Sequence, residues 1–203
     1  MSYEYIDGPT LADVLRQQRV LSEPRALGIA LGIARALTCA EENRVVHRNL
    51  RPAKILLNPT GVPKLSDLGM ATRHDAFGRA ISGTLRFGSP FYTAPEVAQG
   101  GEIDHRADLY SLGITLYHML SGELPYAREP IAQRVEQLRV LGLPLASEAN
   151  PRISARASRL CQRLAAWEPD DRYPTAAALV VDLETMDCKI KAPAKDSEQR
   201  FLL

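Results

Sequence analysis

The feature that most constrains this chain is the run from Val45 to Gly69. The apolar pair Val45-Val46 leads into His47-Arg48-Asn49-Leu50-Arg51-Pro52-Ala53-Lys54, and the apolar triplet Ile55-Leu56-Leu57 leads out. Asn58, Pro59, Gly61 and Pro63 then make a turn, and Lys64-Leu65-Ser66 ends on Asp67-Leu68-Gly69. Short apolar steps on either side of a polar loop suit a loop held between two strands. The second step then delivers the Asp67 carboxylate into a cleft.

Around this run the pattern is helical. Thr10 is placed to cap a short helix carrying Leu11, Val14 and Leu15, and Ser22 with Pro24 just inside is a helix start. Leu27, Ala30, Leu31, Ala34 and Leu37 continue at helical spacing to about Glu42. Residues 70–93 are polar and rich in breakers, without a convincing period. Leu109 to Leu120 is the longest apolar stretch, but Tyr110, Ser111, Gly113, Tyr117 and His118 interrupt it. It is too short and too polar to span a bilayer, so it reads as a buried core helix that Gly122 and Pro125 end. Ile131, Val135 and Leu138 mark an amphipathic helix. Ile153, Ala157, Leu160, Cys161 and Leu164 mark another, and Leu179, Val180, Leu183 and Met186 a last one. Residues 188–203 are polar and aperiodic, a frayed tail. The class this predicts is mainly α.

Composition excludes more than it assigns. Among 203 residues the net charge is +1, so bulk attraction to nucleic acid or to a membrane surface is not expected. Cys39, Cys161 and Cys188 show no metal-ligand spacing, and an odd count in a chain with no secretory signal fits packed thiols in a reducing cytoplasm. The start, Met1-Ser2-Tyr3-Glu4-Tyr5, is neither basic nor followed by an apolar run.

His47-Arg48-Asn49-Leu50-Arg51-Pro52-Ala53-Lys54 followed by Asp67-Leu68-Gly69 resembles the catalytic loop and metal-binding turn of the eukaryotic-like protein kinases, which read H-R-D-L-K-P-x-N and D-F-G. The resemblance extends along the chain. Residues 2–8 look like the hinge between the family's two lobes. Gly88-Ser89-Pro90-Phe91-Tyr92-Thr93-Ala94-Pro95-Glu96 is similar to the close of an activation segment. Asp108 to Gly113 resembles the opening of the central helix, and Trp167 to Pro174 the D-P-x-x-R-P turn. The match covers about residues 1–187, and its wording after Asp108 is most like bacterial Ser/Thr kinases. It implies a kinase-like C-terminal lobe, helical with a short β-ribbon under the catalytic loop. No G-x-G-x-x-G occurs and no strand-rich segment precedes the hinge, so the N-lobe is expected to be absent.

The resemblance also assigns roles. Asn49 stands at the position of the catalytic Asp; an amide oxygen accepts a hydrogen bond but takes no proton near neutral pH. Lys54 stands where an Asn binds magnesium, and an ammonium offers no lone pair. It is expected either to pair with Asp67, imitating part of the metal's charge, or to point into solvent. Asp67 is the one metal ligand left. Arg51 replaces the Lys that touches the transferring phosphate and keeps its charge. Glu4, Ile6 and Leu56 fall where adenine would rest, with Leu56 as the floor of an exposed shelf. His47 and Asp108 support the loop, Arg48 reaches toward a phosphorylated segment (Thr72, Ser82, Thr84 or Ser89), and Glu96 with Arg172 form a buried pair. Ser89 matches a substrate-facing Thr and is expected to make a loop hydrogen bond.

Two functions follow as expectations. One is a pseudokinase, a non-catalytic regulatory or scaffolding module needing no cofactor. A protein partner would then cover the hinge and the Leu56 shelf. The other is a Ser/Thr kinase using ATP and magnesium, with its N-lobe supplied from outside this chain. Relic sequence without a selected role is a third possibility that one sequence leaves open.

Overall fold

The structure is a computed structural model that describes residues 6–74, 80–82 and 89–186. The expected hinge residue Glu4, the phosphoacceptor Thr84, Cys188 and the tail 188–203 lie outside the described residues, as does the side chain of Ser82.

Helix α1 (Leu11–Gln18) starts as its sequence predicts. Thr10 Oγ1 accepts from the Asp13 amide at 3.2 Å, and Asp13 Oδ2 takes the Thr10 amide at 3.1 Å, a reciprocal capping box. Helix α2 (Glu23–Glu42) has Ser22 at its cap position and Pro24 in its first turn, though the Ser22 side chain makes no capping bond. Short strand β1 (Val45–Val46) then opens the site region. Strands β2 (Ile55–Leu57) and β3 (Pro63–Leu65) form the expected antiparallel ribbon, with Leu56 opposite Lys64.

The stretch from residue 70 holds more order than its composition suggests. Strands β4 (Thr72–His74) and β5 (Ala80–Ser82) pair with β1 in the order β1-β4-β5. The paired groups are backbone, so Val45 meets Arg73 and Val46 meets Thr72 without an apolar period on β4. The catalytic-type loop therefore lies between β1, in one sheet, and β2, in another.

Short helix α3 (Pro95–Ala98) leads to α4 (Arg106–Ser121), which is buried along nearly its whole length and ends at Gly122 in the left-handed region (φ 82°). Gly113 lets α4 approach α7 (Ala155–Leu164): a Cβ there would lie 2.6 Å from Leu164 Cβ. Helix α6 (Ala146–Ala149) precedes α7, and α8 (Ala176–Thr185) packs its Leu179 and Leu183 into the core. One apolar cluster runs from Leu11 to Met186 through α1, α2, α4, α7 and α8. The lobe is mainly α, as expected.

Helix α5 (Ile131–Leu141) forms where expected but presents a different face. Ile131 and Val135 are exposed, Leu138 is partly buried, and Arg134 is the buried residue. The Arg134 guanidinium sits 4.7 Å above the Phe91 ring, and this stacking turns the apolar stripe outward.

Candidate catalytic site

The site is built on a buried carboxylate. Asp108 Oδ2 accepts the His47 amide at 2.7 Å and Oδ1 accepts the Arg48 amide at 2.9 Å, so helix α4 fixes the start of the loop. Burial pushes the Asp108 carboxyl up from its ordinary value, while His47 and the two amides pull the other way. His47 is fully buried; its Nδ1 accepts the Asn49 amide at 3.2 Å. Nε2 therefore carries the proton and donates to Ser66 O at 3.0 Å, joining the loop to the strand that bears Asp67. Arg48 and Asp67 both hold positive φ (64° and 68°), a conformation the surrounding bonds must maintain.

Asn49 is 7% exposed, and its Oδ1 has no hydrogen-bond partner among the described residues. The carboxamide at the base position is thus an acceptor without a bonded donor. Lys54 Nζ bonds Asp67 Oδ2, and Asp67 Oδ1 accepts the Gly69 amide at 3.1 Å. The first alternative for Lys54, pairing with Asp67, is the one the structure holds. The Lys54 ammonium, then the Gly69 amide, hold the Asp67 carboxyl below its usual range. Kinases of this type use ATP with magnesium. Magnesium needs oxygen ligands in near-octahedral array, whereas here both Asp67 oxygens are engaged and the second ligand position is an ammonium. The donor set does not fit the metal. Among the described residues, no cluster of three or more His, Cys, Asp or Glu could hold one.

Arg51 is brought to a different place. It precedes the turn Pro52–Lys54 and lines a cavity with Arg16, Tyr92 and His118 that Lys54 and Asp67 do not line. Arg48 donates to the Thr72 hydroxyl at 2.7 Å, so of its expected contacts Thr72 is within bonding distance, on a buried strand residue. The close of the segment is tied down from within. Ser89 contributes its carbonyl, which accepts from the Tyr92 amide and the Thr93 hydroxyl, and Ser111 donates to Tyr92 O at 2.8 Å.

Glu96 and Arg172 form the expected buried pair, at 2.7 and 2.9 Å. Arg172 also donates to the carbonyls of Ala166, Arg106 and Trp167, so each of its five N–H groups has an acceptor.

The model of the protein kinase domain matches residues 1–182. The chain belongs to the protein kinase family. A probable serine/threonine-protein kinase of Clostridium perfringens is 33% identical to this kinase-family chain over 203 residues, 98% of the chain and 29% of that protein. The serine/threonine-protein kinase PknB of Mycobacterium tuberculosis is 32% identical over 182 residues, 89% of the chain and 29% of that protein. A probable serine/threonine-protein kinase of Streptomyces coelicolor is 33% identical over 184 residues, 89% of the chain and 27% of that protein. The kinase-family chain therefore spans under a third of the length of these curated relatives.

In this kinase-family chain the residues that follow the expected hinge lie against β2. Pro9 O accepts the Leu57 amide at 3.0 Å, and Thr10 bridges Leu56. A Cβ on Gly8 would lie 1.8 Å from Leu57 O, so only glycine allows this approach. Leu56 is half-buried, and Ile6 is half-buried too. Sequence reasoning missed the Tyr92–His118 hydrogen bond (2.9 Å) and the buried Arg134. That bond joins residues 26 positions apart, and no local pattern announces it.

Proposed function

We propose that this kinase-family lobe is a pseudokinase, a regulatory or scaffolding module that binds a protein partner without transferring phosphate. The observation that carries the reading is the Lys54–Asp67 ion pair: a tethered cation stands at a magnesium ligand position and occupies the remaining carboxylate. Asn49 adds to it, because an amide cannot accept a proton from a substrate hydroxyl near neutral pH. The structural members Asp108, Glu96 and Arg172 keep their bonds, which supports a lobe retained for its surface. A partner would cover the hinge and Leu56. Among the described residues no helix is long and apolar enough to cross a membrane, and Cys39 and Cys161 are free thiols. We further propose a reducing, cytoplasmic location, to which such thiols are suited.

The alternative is a Ser/Thr kinase acting with an N-lobe outside this chain, transferring the γ-phosphate of ATP to protein Ser or Thr. The names of the relatives favour it, as does the charge kept at Arg51. A phosphotransfer assay on the protein at its native length, with Mg-ATP and a generic basic substrate, separates the two. No transfer above background is expected. Transfer abolished by Asp67→Ala would establish the kinase reading instead.

A further inference from the structure

Two side chains of α4 hold Tyr92, at the close of the activation-type segment. Ser111 donates to its carbonyl at 2.8 Å, and His118 Nδ1 lies 2.9 Å from its phenolic oxygen. The Tyr92 amide donates to Ser89 O at 3.0 Å, so the bond to His118 bears on the whole turn from Ser89. Cations surround this bond. Arg16 of α1 and Arg51 line the cavity that Tyr92 and His118 also line. The buried Arg134 of α5 acts on both rings and carries Phe91 stacked 4.7 Å from its guanidinium.

Among the described residues no carboxylate bonds the imidazole. Each acidic group on the surrounding elements is engaged elsewhere. Asp13 of α1 bonds Thr10 and Arg16, and Glu96 of α3 bonds Arg172. Asp108 of α4 takes the His47 and Arg48 amides, and Glu136 of α5 pairs with Arg139. Burial pushes the Tyr92 and Tyr110 phenols up to about 12, so both keep their protons. Burial first, and then Arg134, push the His118 imidazole down from 6.5, so it is neutral near pH 7. Protonation would change the bond in two ways. Nδ1 could then only donate, so the Tyr92 hydroxyl would have to turn its own proton elsewhere. A further positive charge would also stand, partly buried, beside Arg134.

We infer that the Tyr92–His118 pair is an acid-sensitive latch, which fastens the turn from Ser89 to Ala94 onto helix α4 while the imidazole is neutral and releases it when the ring is protonated. The fold favours the neutral ring. Its contribution to stability is therefore fully present above 6.5 and is lost as pH falls through the folded midpoint. Phe91 is the neighbour of Tyr92, so its stacking on Arg134 would be disturbed by the same release. Acid would thus alter the surface where the segment close meets α5. The latch does not depend on whether phosphate is transferred.

The test joins an NMR titration of His118 to amide hydrogen exchange on the full protein, at pH values about one to two units either side of the ordinary histidine midpoint and corrected for intrinsic exchange. The His118 midpoint should lie below 6.5 and rise in Arg134→Met, which removes the facing cation. Protection of residues 89–94, read against that of α2, should fall on acidification by up to about tenfold for each unit by which the midpoint is displaced. In His118→Gln an amide can still bond the Tyr92 hydroxyl but does not titrate, so protection there should be the same at both pH values. A His118 midpoint at or above 6.5, or wild-type protection that does not change with pH, would overturn the proposal. So would an equal loss in His118→Gln, which would place the acid sensitivity in another group. The first two readings need no variant, and none of them involves the phosphotransfer assay.

Discussion

Replacing Arg172 by methionine tests the frame on which everything else is mounted. The Arg172 side chain is 0% exposed and that of Glu96 is 13% exposed. The guanidinium gives two bonds to Glu96 and one each to Ala166, Arg106 and Trp167 carbonyls, and it stacks 5.0 Å from the Tyr110 ring. Methionine fills much of the volume but supplies no donor. Glu96 then becomes a buried carboxylate without its cation, and three carbonyls lose their partner. Breaking one member of such a buried pair costs about 3–5 kcal/mol. For a chain of 203 residues each kcal/mol corresponds to about 2–4 °C, so the expected fall in Tm is about 6–20 °C. Arg172→Lys should fall between, because an ammonium keeps the charge but offers three donors where five are used. Urea unfolding followed by circular dichroism reads both. A cost below about 1 kcal/mol for Arg172→Met, with an unchanged m-value, would refute the reasoning.

Two further predictions concern the loop. The depressed Asp67 carboxyl contributes stability that is present above its unfolded value and lost as pH falls through its folded one. By carboxyl NMR its midpoint should therefore lie below 3.8 and move up toward it in Lys54→Ala; an unmoved midpoint would show that the pair is not what holds it. Asp108→Asn leaves one amide oxygen for two backbone N–H donors, at 2.7 and 2.9 Å, and sets its own NH2 against one of them. It should destabilise the protein by about 1–3 kcal/mol in chemical denaturation, and a neutral result would mean that the loop is held elsewhere.

Much of this lobe was legible where a residue type has one physical use. Thr10 with Asp13, and Gly122 after a buried run, announced the ends of α1 and α4 because caps and positive φ leave few alternatives. Asn49, Lys54, Asp67 and the Glu96–Arg172 pair were legible through their places in a family pattern. Strands β4 and β5 were not, because backbone pairing with β1 stabilises Thr72-Arg73-His74 without an apolar signature. The face of α5 was misjudged because periodicity identifies an apolar stripe but not the side from which the core approaches. Phe91 recruits Arg134 instead. The cavity between α1 and Arg51 joins segments more than 100 residues apart, from Ala12 to His118, which no local reading assembles.

The central claim is that Lys54 has taken the metal's place beside Asp67. Titration calorimetry of ATP into the protein at its native length, with magnesium and then with magnesium removed by chelation, tests it most directly. The account predicts that ATP affinity, if measurable, is the same in both and is unaltered by Asp67→Ala. Micromolar ATP binding that requires magnesium and is lost in Asp67→Ala would contradict it.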